Sequence, residues 1–300
     1  MKLFAPKYYN EFKCIADKCT HSCCIGWEID IDDYTLEKYS SLDHKYGEAI
    51  RKSIEITDTP HFILGKNERC PHLSERGLCE IISNVGEGYL CDICREHPRF
   101  YNDTCLGKEV GLGMACEEAC RIILNSDDYL SIVEIGEVEE EAIAFEFNAT
   151  HYRQHIYSIL SDRSVAYVER LKRIYDKLGA CPNALSDNEW KEVVSQLEYL
   201  DPAHKEMFMR YSSALFDSGK NDCYLERALA YFIYRHCTEA YDENDFCARL
   251  FFCLFCERLL ASVCQDDIFT CARIISEELE YSLDNTEAIM NLYDFDNQME

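Results

Sequence analysis

Proline and glycine are scarce in these 300 residues, six and twelve in all. Their scarcity excludes collagen-like and low-complexity chains and suits a largely helical protein. Positive charge is short as well. Lys and Arg number 30 against 56 Asp and Glu, a formal net charge of −26. A surface this acidic repels phosphate, so no nucleic-acid partner is expected. The same field favours a Lys-bearing protein partner, although acidity also serves solubility alone. Long hydrophobic runs are missing too. The most apolar stretch, Phe246–Leu260, is shorter than the roughly 20 residues of a span. Arg249, Glu257 and Arg258 interrupt it, so it reads as a buried helix and no membrane partner is expected. The start of the chain lacks the apolar core and small-residue cleavage site of a secretory leader, which sets the expectation of a cytoplasmic protein.

Cysteine, by contrast, is abundant: nineteen residues. In a reducing compartment these should be thiols rather than disulfides. Eleven lie in the first 120 residues: Cys14, Cys19, Cys23, Cys24, Cys70, Cys79, Cys91, Cys94, Cys105, Cys116 and Cys120. Turn signals also concentrate there, among them Thr59-Pro60, Cys70-Pro71, Arg76-Gly77 and Gly86-Glu87-Gly88. A short β element is expected where apolar and polar residues alternate from Ile25 to Asp32. After residue 125 the texture changes. Helical periodicity runs through 164–178, 224–241, 242–264 and 267–285, and the acidic run 134–142 reads as a solvated linker or helix face. The fold class expected is mainly α with little β. A loop-rich cysteine-cluster segment, 1–125, would be packed on a C-terminal helical bundle, 126–300.

The cysteines fall into groups: Cys14-x4-Cys19-x3-Cys23-Cys24, Cys70…Cys79 about a Gly77 turn, Cys91-x2-Cys94, and Cys116-x3-Cys120. Short loops let several sulfurs converge on one centre. Adjacent side chains diverge, so Cys23 and Cys24 either serve two centres or include one non-ligand. Isolated cysteines are commonly core residues, as expected for Cys253 and Cys256 among phenylalanines. Eleven beside Gly, Pro and charged residues point to metal. Zinc and iron–sulfur both accept four thiolates, but zinc knuckles prefer C-x2-C pairs, which only Cys91 and Cys94 form in this segment. Ligand softness and spacing favour an iron–sulfur cluster, 4Fe–4S, with zinc as the alternative.

Cys-x4-Cys-x3-Cys-Cys-x-Gly26-Trp27, then Cys70-Pro71…Gly77-Leu78-Cys79, then Cys94-x3-Pro98-Arg99, resembles the flagellin lysine N-methylase (FliB) family. That family belongs to a wider CxxCxxCC metal-chelating group. Tyr231-Phe232-x-x-Arg235-His236 and Glu280-x-Ser282-x-x-Asn285 resemble its two C-terminal signatures. The resemblance implies methyl transfer from S-adenosylmethionine to lysines of flagellin. It carries the metal role onto Cys14, Cys19, Cys23, Cys24, Cys70, Cys79, Cys94 and Cys116. Cys91, Cys105 and Cys120 stand where other residue types are expected and read as incidental or as thiols near the cluster. Glu117 replaces the family's proline after Cys116.

No dinucleotide-type site is evident. Gly86-x-Gly88 and Gly111-x-Gly113 are lone fragments that read as turns, and Gly26 occupies the third cysteine position of a radical-type C-x3-C-x2-C motif. The lysine amine, with an ordinary pKa of ~10.4, must lose its proton before attack. Glu280, His236 and Tyr231 are the catalytic candidates, with Tyr234 and Tyr281 as aromatic faces for a methylated cation. Arg235, Arg95 and Arg99 are candidates for a cofactor carboxylate. The same spacing also fits tyrosines in a core and an Arg235–Glu280 pair. A non-catalytic metal-binding or electron-transfer protein is the alternative. In the catalytic reading the site is expected where the cysteine segment meets the helices.

Overall fold

In a computed structural model of the chain, all residues are described except 141–144, 180–184, 216–218, 265–266 and 294–300. Two compact units result: Lys13–Arg99, and Met1–Phe12 with Phe100–Glu300. The sequence reading put its boundary at 125/126. Residues 1–12 and 100–125 instead group with the helices, because both contribute strands to one sheet. That sheet begins with β1 (Lys2–Pro6).

The Lys13–Arg99 unit is built from short elements. These are α1 (Asp33–Ser41), α2 (Gly47–Lys52), the two-residue strands β2 (Ile54–Glu55) and β3 (His61–Phe62), α3 (Glu80–Val85) and α4 (Asp92–Glu96). Asp32 caps α1 by accepting from the Thr35 amide at 2.9 Å. The expected β element over 25–32 is reduced to single bridges, Ile25 with Arg69 and Asp30 with His61. Its alternation still turns Ile29 and Ile31 into the core, but a two-residue β3 offers no ladder to extend. Those isoleucines join Tyr39, Phe62, Cys70 and Cys91 in a small core of the unit's own.

The larger unit adds β4 (Arg99–Thr104), β5 (Gly107–Leu112), α5 (Glu117–Asn125) and β6 (Ile132–Glu137). The sheet order is β4-β5-β1-β6, with β1 parallel to β5 and antiparallel to β6. Residues 134–137 of the acidic run are therefore edge strand rather than linker or helix face, while 141–142 lie outside the described residues. Glutamates along an exposed edge discourage further strand pairing, and Glu134 meets Lys2 at 2.6 Å. Gly111, expected in a turn, sits inside β5. A Cβ there would come within 2.2 Å of the Phe100 ring, so only glycine lets that ring lie on the strand.

Eight further helices follow: α6 (Ala149–Leu160), α7 (Tyr167–Leu178), α8 (Asp187–Gln196), α9 (Pro202–Phe208), α10 (Asp222–His236), α11 (Glu243–Val263), α12 (Ile268–Ile275) and α13 (Leu283–Met290). Three of the four periodic segments match α7, α10 and α11 closely. The fourth is broken. α12 passes into a π-helical turn, Ser276–Glu280, before α13 begins. All five residues of that turn are buried, and π turns recur where side chains are re-aimed at functional sites. Helix takes 54% of the chain and strand 11%, which makes the protein mainly α with little β, as expected. Among the described residues no helix is long and apolar enough to cross a membrane.

Candidate metal centre and active site

Five thiols of the Lys13–Arg99 unit are neighbours: Cys24, Cys70, Cys79, Cys91 and Cys94. Each interacts electrostatically with several of the others. Local structure explains the grouping. Gly26 adopts φ +83, a conformation other residues rarely take. Its amide donates to the Glu68 carbonyl at 3.0 Å, and the Cys70 amide donates to the Cys24 carbonyl at 2.8 Å. That pairing sets Cys24 beside Cys70. A bridge between Leu73 and Cys79 closes the Gly77 turn. Cys91 is the N-cap residue of α4, and Cys94 lies in its first turn.

Burial and neighbours divide these thiols. Cys24 is held down to about 7, first by the hydrogen bond from Cys23, then by Ser22 and the Arg69 charge. Burial pushes Cys70 up to about 12 and raises Cys79. The interaction between Cys91 and Cys94 lowers Cys91 and raises Cys94. Burial lifts Tyr39 and Tyr46 above the ordinary phenol range, aided by neighbouring thiolates and, at Tyr46, first by the hydrogen bond to Glu80.

The remaining expected ligands sit differently. Cys14 and Cys23 are exposed, and Cys19 donates to the His21 carbonyl at 2.8 Å. Of the adjacent pair, Cys24 joins the thiol group and Cys23 bonds to it from outside. Cys116 caps α5 in the helical unit. The described cysteines are all free thiols, and Cys181 lies outside the described residues. Five reduced thiols in one small core are a donor set suited to a thiophilic metal. Among the described residues no three His, Cys, Asp or Glu side chains are arranged to hold a single ion.

In the helical unit Tyr231, Arg235, His236 and Glu280 converge, although Glu280 is 44 residues beyond His236. The Glu280 side chain has no exposed surface, and His236 and Arg235 are nearly as enclosed. His236 Nε2 lies 2.7 Å from Glu280 Oε1, and Arg235 Nε is 3.4 Å from the same oxygen. Tyr231 donates to Glu280 Oε2 at 2.9 Å, and Ser276 donates to Oε2 as well. The Tyr231 oxygen in turn accepts from the Met114 amide at 3.0 Å and from Arg235 Nη1 at 3.1 Å.

Burial alone would protonate Glu280. The Arg235 charge and the His236 and Ser276 hydrogen bonds outweigh it and hold the carboxyl below its usual value. Burial likewise lowers His236. The stable state is therefore an ionised Glu280 beside a neutral His236 that donates through Nε2, leaving Nδ1 as the basic nitrogen. Glu280 accepts from His236, Tyr231 and Ser276 and pairs with the Arg235 charge, so it orients its neighbours more readily than it takes a proton.

Arg235 is also stacked. Its guanidinium carbon lies 4.9 Å from the Phe100 ring centroid and 4.8 Å from that of Tyr281. Asn102 on β4 donates to the Arg235 carbonyl at 2.8 Å. Sequence reasoning named Tyr281 but missed Phe100, Asn102, Met114 and Ser276. The Gly111 that admits the Phe100 ring was a visible signal for the first. Tyr234 turns elsewhere, donating to the Val110 carbonyl at 3.1 Å. Asn285, the end of the second signature, is structural: its side chain bonds Glu198 and the Glu278 carbonyl. Arg95 is exposed and paired with Asp92 on α4. Arg99 donates to the Arg95 carbonyl at 3.5 Å.

A thiol-rich small unit and a helical unit with a buried carboxylate–histidine–arginine cluster define the class of this protein. Similarity narrows it. Over 136 residues the chain is 27% identical to the flagellar biosynthetic protein FliU of Salmonella muenchen, covering 43% of this chain and 80% of that protein. Over 144 residues it is 28% identical to the lysine-N-methylase of Salmonella typhimurium and 29% to that of Salmonella choleraesuis. Those matches cover 43% of this chain and 34% of each methylase, so the matched region spans about a third of either enzyme. The resemblance to the lysine-N-methylase (FliB) family is thus borne out over that part of the chain. No family model matches the chain, and no solved structure does.

Proposed function

We propose that the chain is a protein-lysine N-methyltransferase that uses S-adenosylmethionine and acts on flagellin or another Lys-bearing protein. The observation that carries this reading is the convergence of Tyr231, Arg235 and His236 with Glu280. The two signatures are far apart in sequence, yet their side chains share one buried hydrogen-bond network. The relatives' names, lysine-N-methylase and flagellar biosynthetic protein, support it. The acidic surface suits a lysine-bearing substrate.

In this reading His236 accepts the proton of the incoming ammonium at Nδ1. Glu280 fixes its tautomer and orientation, as a carboxylate does for a catalytic imidazole. Desolvation of the amine must supply much of the drop from its ordinary pKa. Arg235, held between Phe100 and Tyr281, is the group for a carboxylate of the methyl donor. Arg95 and Arg99 are further anion-binding candidates on the thiol unit. That unit would hold an iron–sulfur cluster or zinc. Because no closed single-ion shell is present among the described residues, ligation would draw the loops together and couple metal binding to their ordering.

The engagement of Glu280 by three hydrogen-bond donors and the Arg235 charge favours a second reading, a structural hub in a non-catalytic metal protein. Calorimetric titration with S-adenosylmethionine, followed by mass spectrometry of flagellin after incubation with it, separates the two. Binding and a 14-dalton gain (~14, one methyl for one hydrogen) on lysine support the methyltransferase. Absence of both favours the hub.

A further inference from the structure

Arg235 and His236 stand at the C-terminal end of α10, where a helix leaves its last carbonyls without intrahelical partners. Three of these carbonyls in a row are taken up by side chains. The Tyr234 carbonyl accepts from Thr238 Oγ1 at 2.7 Å, that of Arg235 from Asn102 Nδ2 at 2.8 Å, and that of His236 from Arg249 Nη1 at 3.2 Å. Thr238 is a local cap, four residues along the chain. Asn102 and Arg249 come from other elements, β4 and α11. Arg249 is itself fixed. Its Nε donates to Asp245 Oδ2 at 2.9 Å, one turn earlier on α11, and its Nη1 lies 3.1 Å from Glu239 Oε2. Phe252 shares that face of α11, three residues on. Its ring meets the His236 imidazole edge to face, with centroids 4.8 Å apart at 71°. Helix α11 thus holds His236 at both backbone and ring, while Glu280 holds Nε2.

We infer that Arg249 and Phe252 are positioning residues for His236, and that Asn102 is one for Arg235. Their catalytic meaning rests on the methyltransferase reading, whereas the placement of the imidazole can be read without it. Removing the Arg249 donor frees the His236 carbonyl, and the last turn of α10 loses its tie to α11. The imidazole then drifts from Glu280, and the orientation that leaves Nδ1 open to a substrate proton is lost. Removing Asn102 loosens Arg235 in the same way, so the guanidinium no longer meets a donor carboxylate in a fixed place.

The test compares Arg249→Met, Phe252→Leu and Asn102→Ala with the wild type and with Thr238→Val as a structural control. Thr238→Val removes the cap on the Tyr234 carbonyl, and the Tyr234 side chain lies outside the Glu280 network, donating to Val110. It should lower the melting temperature and leave the site unchanged. Nitrogen-15 NMR of the histidine-labelled full chain reads His236, assigned through His236→Gln. The wild-type ring should be one tautomer, protonated at Nε2. In Arg249→Met the two nitrogen shifts should converge toward the average of a mobile ring, and Arg249→Lys, which keeps a donor, should restore part of the difference. With S-adenosylmethionine and flagellin, kcat of Arg249→Met should fall on the order of a hundredfold with KM little changed, as for a reacting group displaced by about 1 Å. Affinity for S-adenosylmethionine in Asn102→Ala should fall about tenfold, a loss of about 1.4 kcal/mol. Wild-type imidazole shifts in Arg249→Met, with a melting loss like that of Thr238→Val, would make Arg249 a helix cap only and overturn the inference. If Arg249→Met does not fold, Phe252→Leu decides, and wild-type shifts there would overturn it equally. A displaced imidazole in a chain whose wild type neither binds S-adenosylmethionine nor methylates flagellin would uphold the positioning and remove the methyltransferase reading.

Discussion

Glu280 and His236 meet at 2.7 Å with the carboxylate side chain wholly enclosed. Glu280 stays ionised there because Arg235, Tyr231 and Ser276 surround it with donors. Glu280→Gln keeps the shape and removes the charge, leaving Arg235 buried without its partner. Breaking a buried pair in this way costs about 3–5 kcal/mol. Chemical denaturation of the helical unit should show that loss, and methyl transfer should vanish while metal content holds. A stability change below about 1 kcal/mol would mean the network is solvent-screened.

The same pair sets an acid response. His236 has a folded pKa below its ordinary 6.5, so the unfolded chain binds the extra proton first. Its contribution to stability is whole above pH 6.5 and is lost as pH falls from there toward the folded value. Glu280, also depressed from 4.5, adds a second loss below that pH. Urea midpoints should therefore drop between pH 7 and 5. In His236→Gln that part of the slope should be shallower.

Arg235→Lys tests the stack between Phe100 and Tyr281. An ammonium keeps the charge near Glu280 but has no planar face and no fork for a carboxylate. Binding of S-adenosylmethionine, read by calorimetry, should weaken strongly, with the fold unchanged by circular dichroism. Wild-type affinity in the variant would remove Arg235 from the donor site.

Gly111→Ala should disturb the same place from outside. Its new methyl would meet the Phe100 ring at 2.2 Å, and overpacking of this kind costs about 1–3 kcal/mol. Phe100 would move off Arg235, so melting temperature and activity should fall together. Phe100→Leu in the Gly111→Ala background should recover part of the melting loss.

Cysteine substitutions should separate the two units. Cys253→Ser lies in the helical core, its sulfur 3.9 Å from that of Cys237, and should cost about 1–3 kcal/mol whether metal is present or not. Cys24→Ser should destabilise the Lys13–Arg99 unit only in metal-loaded protein, since a thiolate–metal site supplies folding energy on the order of 10 kcal/mol. Equal melting losses with and without chelator for both variants would contradict the assignment.

Periodicity and residue type settled much of this protein in advance. The apolar stripes of α7, α10 and α11 are local, and Asp242, which accepts from the Asp245 amide at 2.8 Å, starts α11 as its acidic opening suggested. The two C-terminal signatures were legible as residues, and so was the thiol-rich segment. Which thiols share a core was not legible. The resemblance carries a metal role onto Cys14 and Cys23, which are exposed, and none onto Cys91, which is buried. The grouping depends on Gly26 turning the chain back so that Cys24 meets Cys70, a contact across 46 residues that no local pattern encodes.

Tertiary structure also decided the break after α12. Helical periodicity runs unbroken through 267–285, yet the chain opens into a π turn at Ser276–Glu280. There Glu277 meets Arg273, Glu278 meets His204 and Glu280 meets His236. Three carboxylates buried within four residues can persist only if each reaches its own cation or donor. Sequence set which residues carry charge and which carry sulfur, because those are properties of single side chains. The partners that make burial of those charges tolerable come from distant segments, so only the folded chain could select them.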